Sequence, residues 1–337
     1  MNVVLIPDQI NEIFEKYKKS GDIQDYGRDL DGQLGKIKEV KYRDRINVGK
    51  IIMKDISEDE RKIKEIRGNN IIRINKICKA QKDYGVTYHL IIMERAEIRD
   101  MDKLINIYHK YNLLKLIFKF PFDDSMDDNL LRFFVKQIVE GLEIYDRINY
   151  FCDIKKENIL ISLHLILKLS NLNYLDKIKD KNDKMVEYFA LCKTIYFIKF
   201  GKKLFKDNVL LELDKKEKYI DVLLKKINKL NKYKIMNRDL IYLLIKLIKG
   251  DITFEQIYRN KWLNKNLDYI EKVVSNFEID EEKMIVELSK LDFIIKKNKI
   301  IEYKTKKINK NLLVNNNGKE GKKSNLCLLG KKFRFKK

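Results

Sequence analysis

Residues 150–161 read Tyr150-Phe151-Cys152-Asp153-Ile154-Lys155-Lys156-Glu157-Asn158-Ile159-Leu160-Ile161, and Asn171-Leu172-Asn173 begins thirteen positions after Asn158. An acid, a cation and an amide, Asp153, Lys155 and Asn158, stand within six residues of one another, just ahead of the apolar start of a strand. Upstream, Leu131, Phe134, Ile138, Leu142 and Tyr145 recur at three- and four-residue steps, the spacing of one helix face. The stretch is therefore a polar loop between a buried helix and a strand.

Around that loop the chain has 337 residues, 45% apolar and 36% charged, which suits one large core or two lobes and argues against disorder as the main state. No apolar run approaches the roughly 20 residues of a bilayer span, and Met1 to Asp8 is too short and acid-ended for a secretory signal. An intracellular protein, cytoplasmic or nuclear, with no transmembrane segment is expected. Cys78, Cys152, Cys192 and Cys327 form no C-x-x-C pair, so neither a zinc ribbon nor a disulfide framework is implied. The equally scattered His89, His109 and His164 are read as structural. Lysine carries most of the net charge of +22; as a point charge it implies solubility or non-specific acidic contacts rather than base reading.

Pro7 to Lys18 places Ile10, Ile13, Phe14 and Tyr17 at helical spacing, an amphipathic helix ahead of the main fold with the first lobe to pack on. From Tyr26 to Arg95 the pattern is strand-like, around Gly35–Val40, Val48–Met53 and Val86–Met93, with one charged helical stretch, Ser57 to Arg67. From Met101 onward it is helical. Arg238 to Ile248 is apolar on most faces, and Thr253-Phe254-Glu255-Gln256 predicts a capping box opening a helix that ends near Trp262-Leu263. Glu278 to Asp292 reads as a further helix. From Lys304 the chain is rich in Lys and Asn with Glu320 its only acid, which predicts a disordered basic tail.

The opening loop resembles the catalytic loop and metal-binding turn of the eukaryotic protein kinases, H-R-D-x-K-x-x-N and D-F-G. In that family a carboxylate orients the attacking hydroxyl, a cation meets the phosphate and two oxygen ligands hold Mg²⁺. The resemblance implies an α+β, bilobal fold. Its parts would be a helical extension over 1–25, a β-rich lobe with one helix over 26–95, a helical lobe over 96–264, a helical extension over 265–303 and the tail over 304–337. It makes Asp153, Lys155 and Asn158 the catalytic residues, with Asn158 and Asn171 as metal ligands. Gly32-Gln33-Leu34-Gly35-Lys36-Ile37 resembles the second half of the glycine-rich loop, although Leu30 stands at the first glycine position and a hairpin turn explains the pattern as well. Ile51-Ile52-Met53-Lys54 stands where the family has V-A-I-K, making Lys54 the phosphate anchor. Leu90 to Ala96 resembles the last strand and hinge, with Met93 as gatekeeper, Glu94 and Ala96 in the hinge, and Asp100 placed to meet a ribose. Ile37, Ile52 and Leu160 would complete the nucleotide site.

Several positions depart from the pattern. Ile52 shares a face with Lys54, because strand side chains alternate, and stands where the family keeps Ala. Overpacking of that size costs ~1–3 kcal/mol, or ~10- to 100-fold in nucleotide binding. Gly68-Asn69-Asn70-Ile71-Ile72 resembles the H-P-N-I turn, and counting back for the partner of Lys54 lands on Asp59, beside Glu60, in a stretch equally readable as a solvated charge run. Phe151 and Cys152 replace His and Arg. Asn171 offers a carbonyl oxygen without charge. Glu187, within Val186 to Leu191, stands for the anchoring Asp of the family's buried central helix; A-P-E is missing, and Asp251 replaces the Arg that would pair with its Glu. Ile63, Phe151, Leu160 and Leu172 keep bulky apolar side chains where kinase lobes are stitched together. The expectation is a serine/threonine kinase-like protein with weak or absent phosphoryl transfer, holding ATP and Mg²⁺ weakly at best and acting through a protein partner. Two alternatives stay open: a divergent working serine/threonine kinase, and a basic tail that binds nucleic acid or an anionic surface non-specifically.

Overall fold

The structure, a computed structural model, describes residues 6–30, 36–53, 66–96, 99–102, 104–105, 128–162, 165–170, 181–205, 215–231 and 237–265, together with Ile56 and Ile63. The chain divides into two units, Met1–Glu281 and Glu282–Lys337, and every described residue belongs to the first. The Glu278–Asp292 helix and the basic tail lie outside the described residues, as does the charged Ser57–Arg67 stretch apart from Ile63, Ile66 and Arg67.

Helix α1 (Pro7–Lys19) begins with a proline where no N–H is needed, and Gln9 Oε1 accepts the Ile6 N–H at 3.0 Å. Its predicted apolar face, Ile10, Ile13, Phe14 and Tyr17, is fully buried. These side chains share one core with Val40, Ile51, Cys78, Tyr88, Leu90 and Ile92. The helix therefore packs on the sheet, as its amphipathic pattern requires.

That sheet comprises β1 (Asp25–Asp29), β2 (Ile37–Tyr42), β3 (Arg45–Ile52), β4 (Ile74–Ile77), β5 (Gln81–Asp83) and β6 (Val86–Met93). Every pairing is antiparallel, in the order β1-β2-β3-β6-β4 with β5 on β6. Ile51 pairs with Leu90 and Ile52 with His89. Since Ile51 and Leu90 face α1, alternation turns Ile52, His89, Ile91 and Met93 to the opposite face, where they too are buried. Burial on both sides explains why Leu90-Ile91-Ile92-Met93 is a continuous apolar run rather than an alternating one. Gly49 lies on the α1 side, where an added Cβ would stand 2.7 Å from Val40 Cγ1 and 3.2 Å from Phe14 Cε1. Its bare backbone lets the Phe14 ring reach the strand.

The remainder is β7 (Arg99–Asp100), α2 (Asp128–Arg147), β8 (Ile159–Ile161), β9 (Leu167–Leu169), α3 (Lys181–Phe200), α4 (Lys216–Asn231), α5 (Arg238–Lys249) and α6 (Phe254–Tyr258). The stripe Leu131, Phe134, Ile138, Leu142 and Tyr145 is the buried side of α2. From Met185 onward helix α3 is buried on most sides, Glu187, Thr194 and Lys199 included, as a helix packed by several neighbours is, and it lies against α2 and α5. Asn237 caps α5 by accepting the Asp239 N–H at 2.8 Å, and Gly250 ends it in the left-handed conformation at φ 71°. The capping box at α6 is present, with Thr253 Oγ1 accepting the Gln256 N–H at 3.2 Å and Gln256 Oε1 accepting the Thr253 N–H at 3.0 Å. That helix stops at Tyr258, short of the expected Trp262-Leu263, because the chain turns at Arg259 to bury Trp262 and Leu263.

Sheet and helices are joined through the turn at Gly68–Ile72. An added Cβ on Gly68 would collide with Ile144 of α2, and one on Gly141 would stand 2.9 Å from the Asn70 carbonyl. Asn70 Nδ2 donates to Gln137 Oε1 and to the Leu167 carbonyl, both at 3.1 Å, while Gln137 Oε1 also accepts the Leu167 N–H at 2.9 Å. The Ile72 N–H donates to the Leu169 carbonyl at 3.0 Å. The result is a mixed α+β unit, an antiparallel sheet followed by helices, and no described helix is long and apolar enough to cross a membrane.

Candidate active site

The loop ahead of β8 alternates between inside and outside. Cys152 and Ile154 are buried, whereas Asp153 is half-buried and Lys155 exposed. The chain then closes into a single 3₁₀ turn, Lys156–Asn158, with the Asn158 N–H donating to the Lys155 carbonyl at 2.8 Å. This turn brings the three singled-out residues onto one carboxylate. Lys155 Nζ lies 2.5 Å from Asp153 Oδ2, and Asn158 Nδ2 donates to the Asp153 carbonyl at 2.9 Å and to Oδ2 at 3.2 Å. Ser170, next to Asn171, donates to the Asn158 carbonyl through both Oγ (3.0 Å) and its N–H (2.9 Å).

Behind the loop, Glu187 of α3 accepts the Cys152 N–H on Oε1 at 2.9 Å. Its other oxygen has no hydrogen-bond partner among the described residues. Burial pushes the Glu187 carboxyl up to about 8, and the charge of Asp146 adds to this, against the Cys152 N–H and Lys184. Burial also raises the Cys152 thiol far above its ordinary range, reinforced by Glu187 and Asp153. While it stays buried, that thiol is accordingly a structural group rather than a nucleophile.

Near the end of β6, Met93 is buried opposite Val48 and Ile74, and Ile52 is only 5% exposed. Glu94, beside the half-buried Ala96, accepts the Arg73 N–H at 2.7 Å and Lys168 Nζ of β9 at 2.8 Å. Its carboxylate thus ties the segment after β6 to the β8–β9 hairpin. Asp100 sits opposite the half-buried Leu160 in the β7–β8 pair, and Lys156 Nζ bonds to the Asp102 carboxylate while lying 4.7 Å from the centre of the Phe197 ring. Asp100 and the Asp153 loop are consequently parts of one small structural block. Ile37 is half-buried where β2 begins, its carbonyl accepting the Leu30 N–H at 2.8 Å. Gly32, Gly35, Lys54, Asp59, Glu60, Asn171 and Leu172 lie outside the described residues.

His89 is structural: Nε2 accepts the Ile56 N–H at 3.4 Å, which leaves Nδ1 to donate to the Cys78 carbonyl at 3.2 Å. Lys156, Lys168 and Ser170 were not foreseen. The charged Lys168 between Leu167 and Leu169 was the available signal for one of them, since alternation turns it away from the core; a serine beside a strand carries none. Among the described residues, no group of three or more His, Cys, Asp or Glu side chains could hold a metal ion. No protein-family model matches the chain, and no curated protein matches it.

Proposed function

We propose that the chain is a protein kinase-like domain of the serine/threonine type in which phosphoryl transfer is weak or lost, and that it works through contacts with a protein partner. The observation that carries this reading is the convergence of Lys155 and Asn158 on Asp153. It supplies an acid to orient a hydroxyl, a cation for a phosphate and an amide for Mg²⁺ in one turn of chain. The sheet followed by helices, and the hinge brace between them, support the same assignment.

ATP with Mg²⁺ fits these residues in part. Asp153 and Asn158 bring oxygens to the loop, and Asn171 would add a neutral one. Bound Mg²⁺ would neutralise phosphate charge, for which a neutral ligand is a weak holder. Ile52, enclosed on the sheet face away from α1, adds bulk where an adenine would lie, and Asp251 and Cys152 supply no cation for a substrate platform. The intact arrangement at Asp153 is what favours the second reading, a divergent working kinase.

Thermal denaturation with millimolar ATP, with and without Mg²⁺, tests the proposal. Little stabilisation of the natural chain is expected, with binding gained in Ile52→Ala and Asn171→Asp. Phosphorylation of a generic protein substrate that is abolished by Asp153→Ala would replace the proposal with the working-kinase reading. Absence of nucleotide binding in all variants would remove the nucleotide site from it.

A further inference from the structure

The loop carrying Asp153 is tethered from behind by an acid with almost no access to water. Glu187 is 1% exposed, holds the Cys152 N–H on one oxygen at 2.9 Å and leaves the other without a hydrogen-bond partner among the described residues. Among the described residues, the charged and titratable groups around it are few. Helix α2 brings Asp146, paired with Lys184 Nζ at 2.6 Å, and Tyr145; the loop brings Cys152 and Asp153; α3 itself brings Lys184 and Tyr188. Helix α5 buries Leu240, Leu243, Leu244 and Leu247, α6 sets Phe254 against Tyr188, and Lys216 of α4 is turned to Met185 and the Lys249 carbonyl. Among the described residues, one lysine, Lys184, already paired, faces Asp146 and Glu187.

We propose that Glu187 is a proton-operated latch: protonated, it holds the Asp153 loop closed, and its ionisation opens that loop locally to water. A carboxylate without full compensation is expensive to bury, so the ionised form favours any state in which water reaches it. In the closed state the group titrates near about 8, against an ordinary value of 4.5 when hydrated. The proton therefore binds the closed state more tightly. Opening is least favoured below 4.5, grows roughly tenfold per pH unit above about 5, and levels off beyond about 8. The latch rests on the surroundings of Glu187 alone; only its effect on phosphoryl transfer depends on the kinase-like reading.

The test is alkylation of the full chain by iodoacetamide between pH 6 and pH 9, resolved by peptide mass spectrometry, with buried Cys152 as reporter. Thiolate formation by itself gives about tenfold per pH unit below its ordinary value. Opening multiplies this, so the Cys152 rate should rise about a hundredfold per unit between pH 6 and pH 8 in the natural chain. In Glu187→Gln, which keeps an acceptor for the Cys152 N–H, about tenfold is expected. Cys78, buried in the sheet core, reports unfolding of the whole unit and should stay unlabelled. Equal slopes in the natural and Gln chains, or Cys78 labelled in step with Cys152, would overturn the latch. If Glu187→Gln does not fold, Asp146→Asn removes the neighbouring charge, and the levelling-off should move to lower pH; no movement refutes the proposal. Nucleotide is absent throughout, so the outcome is independent of whether ATP binds.

Discussion

Asn158 holds Asp153 twice, donating one side-chain nitrogen to its main-chain carbonyl at 2.9 Å and to its carboxylate at 3.2 Å. The amide thereby fixes both the position of the loop and the direction of the acid. Asn158→Ala should lower stability by about 1–3 kcal/mol, the scale of two hydrogen bonds in a half-buried site. Asn158→Asp would set a second carboxylate against the first. Its loss relative to the natural chain should be larger at pH 7 than at pH 4, where protonation relieves the repulsion. Urea unfolding at the two pH values measures both.

How far this arrangement was legible depends on range. Asp153, Lys155 and Asn158 meet through a local turn, so their spacing was enough to single them out. The faces of α1 and α2, the Thr253 box and β6 were legible because each runs long enough to show a period or carries its own cap. Strands β5, β7, β8 and β9 have two or three residues each, too few to show alternation. Glu94 and Lys168 meet only because β9 folds back against the segment after β6, and nothing local to either residue records that approach.

The Glu94–Lys168 pair predicts a measurable coupling. Its side chains are 19% and 16% exposed and 2.8 Å apart, so the pair is screened less than a surface bridge. Glu94→Gln keeps an acceptor for the Arg73 N–H while removing the charge, and Lys168→Met keeps the aliphatic stem. A double-mutant cycle on unfolding free energy should return a coupling of about 1 kcal/mol. A value near zero would mean that Glu94 is held by the Arg73 backbone bond alone.

Gly49 predicts a steric effect with a specific rescue. A Cβ there would stand 2.7 Å from Val40 Cγ1, with Leu90 Cδ1 and Phe14 Cε1 both at 3.2 Å. Gly49→Ala should therefore destabilise by about 1–3 kcal/mol, as overpacking of a filled core does. Val40→Ala alone should also destabilise, by removing buried methyl groups. The double variant should lose less than the two single losses added together, because the space vacated by Val40 receives the new methyl. Strict additivity in chemical denaturation would show that the contact relaxes elsewhere.

Glu187 predicts how the stability of the whole unit changes with pH. Its folded-state value of about 8 lies above its ordinary 4.5, so between these limits the unfolded chain releases a proton that the folded chain retains. The folded state consequently binds more protons, and its contribution to stability declines as pH rises from about 4.5 to about 8, then stays level. Below 4.5 the group is protonated in both states and contributes no slope. Other acids, such as Asp22, are held below their ordinary value by Lys76 and Ser20 despite partial burial, and impose slopes of the opposite sign at lower pH. The comparison must therefore be between chains: the difference in melting temperature, Glu187→Gln minus the natural chain, should grow from pH 5 to pH 8 and then flatten. A difference that stays constant across that range would mean that Glu187 is already ionised when folded, with its charge compensated by Lys184 rather than suppressed by burial.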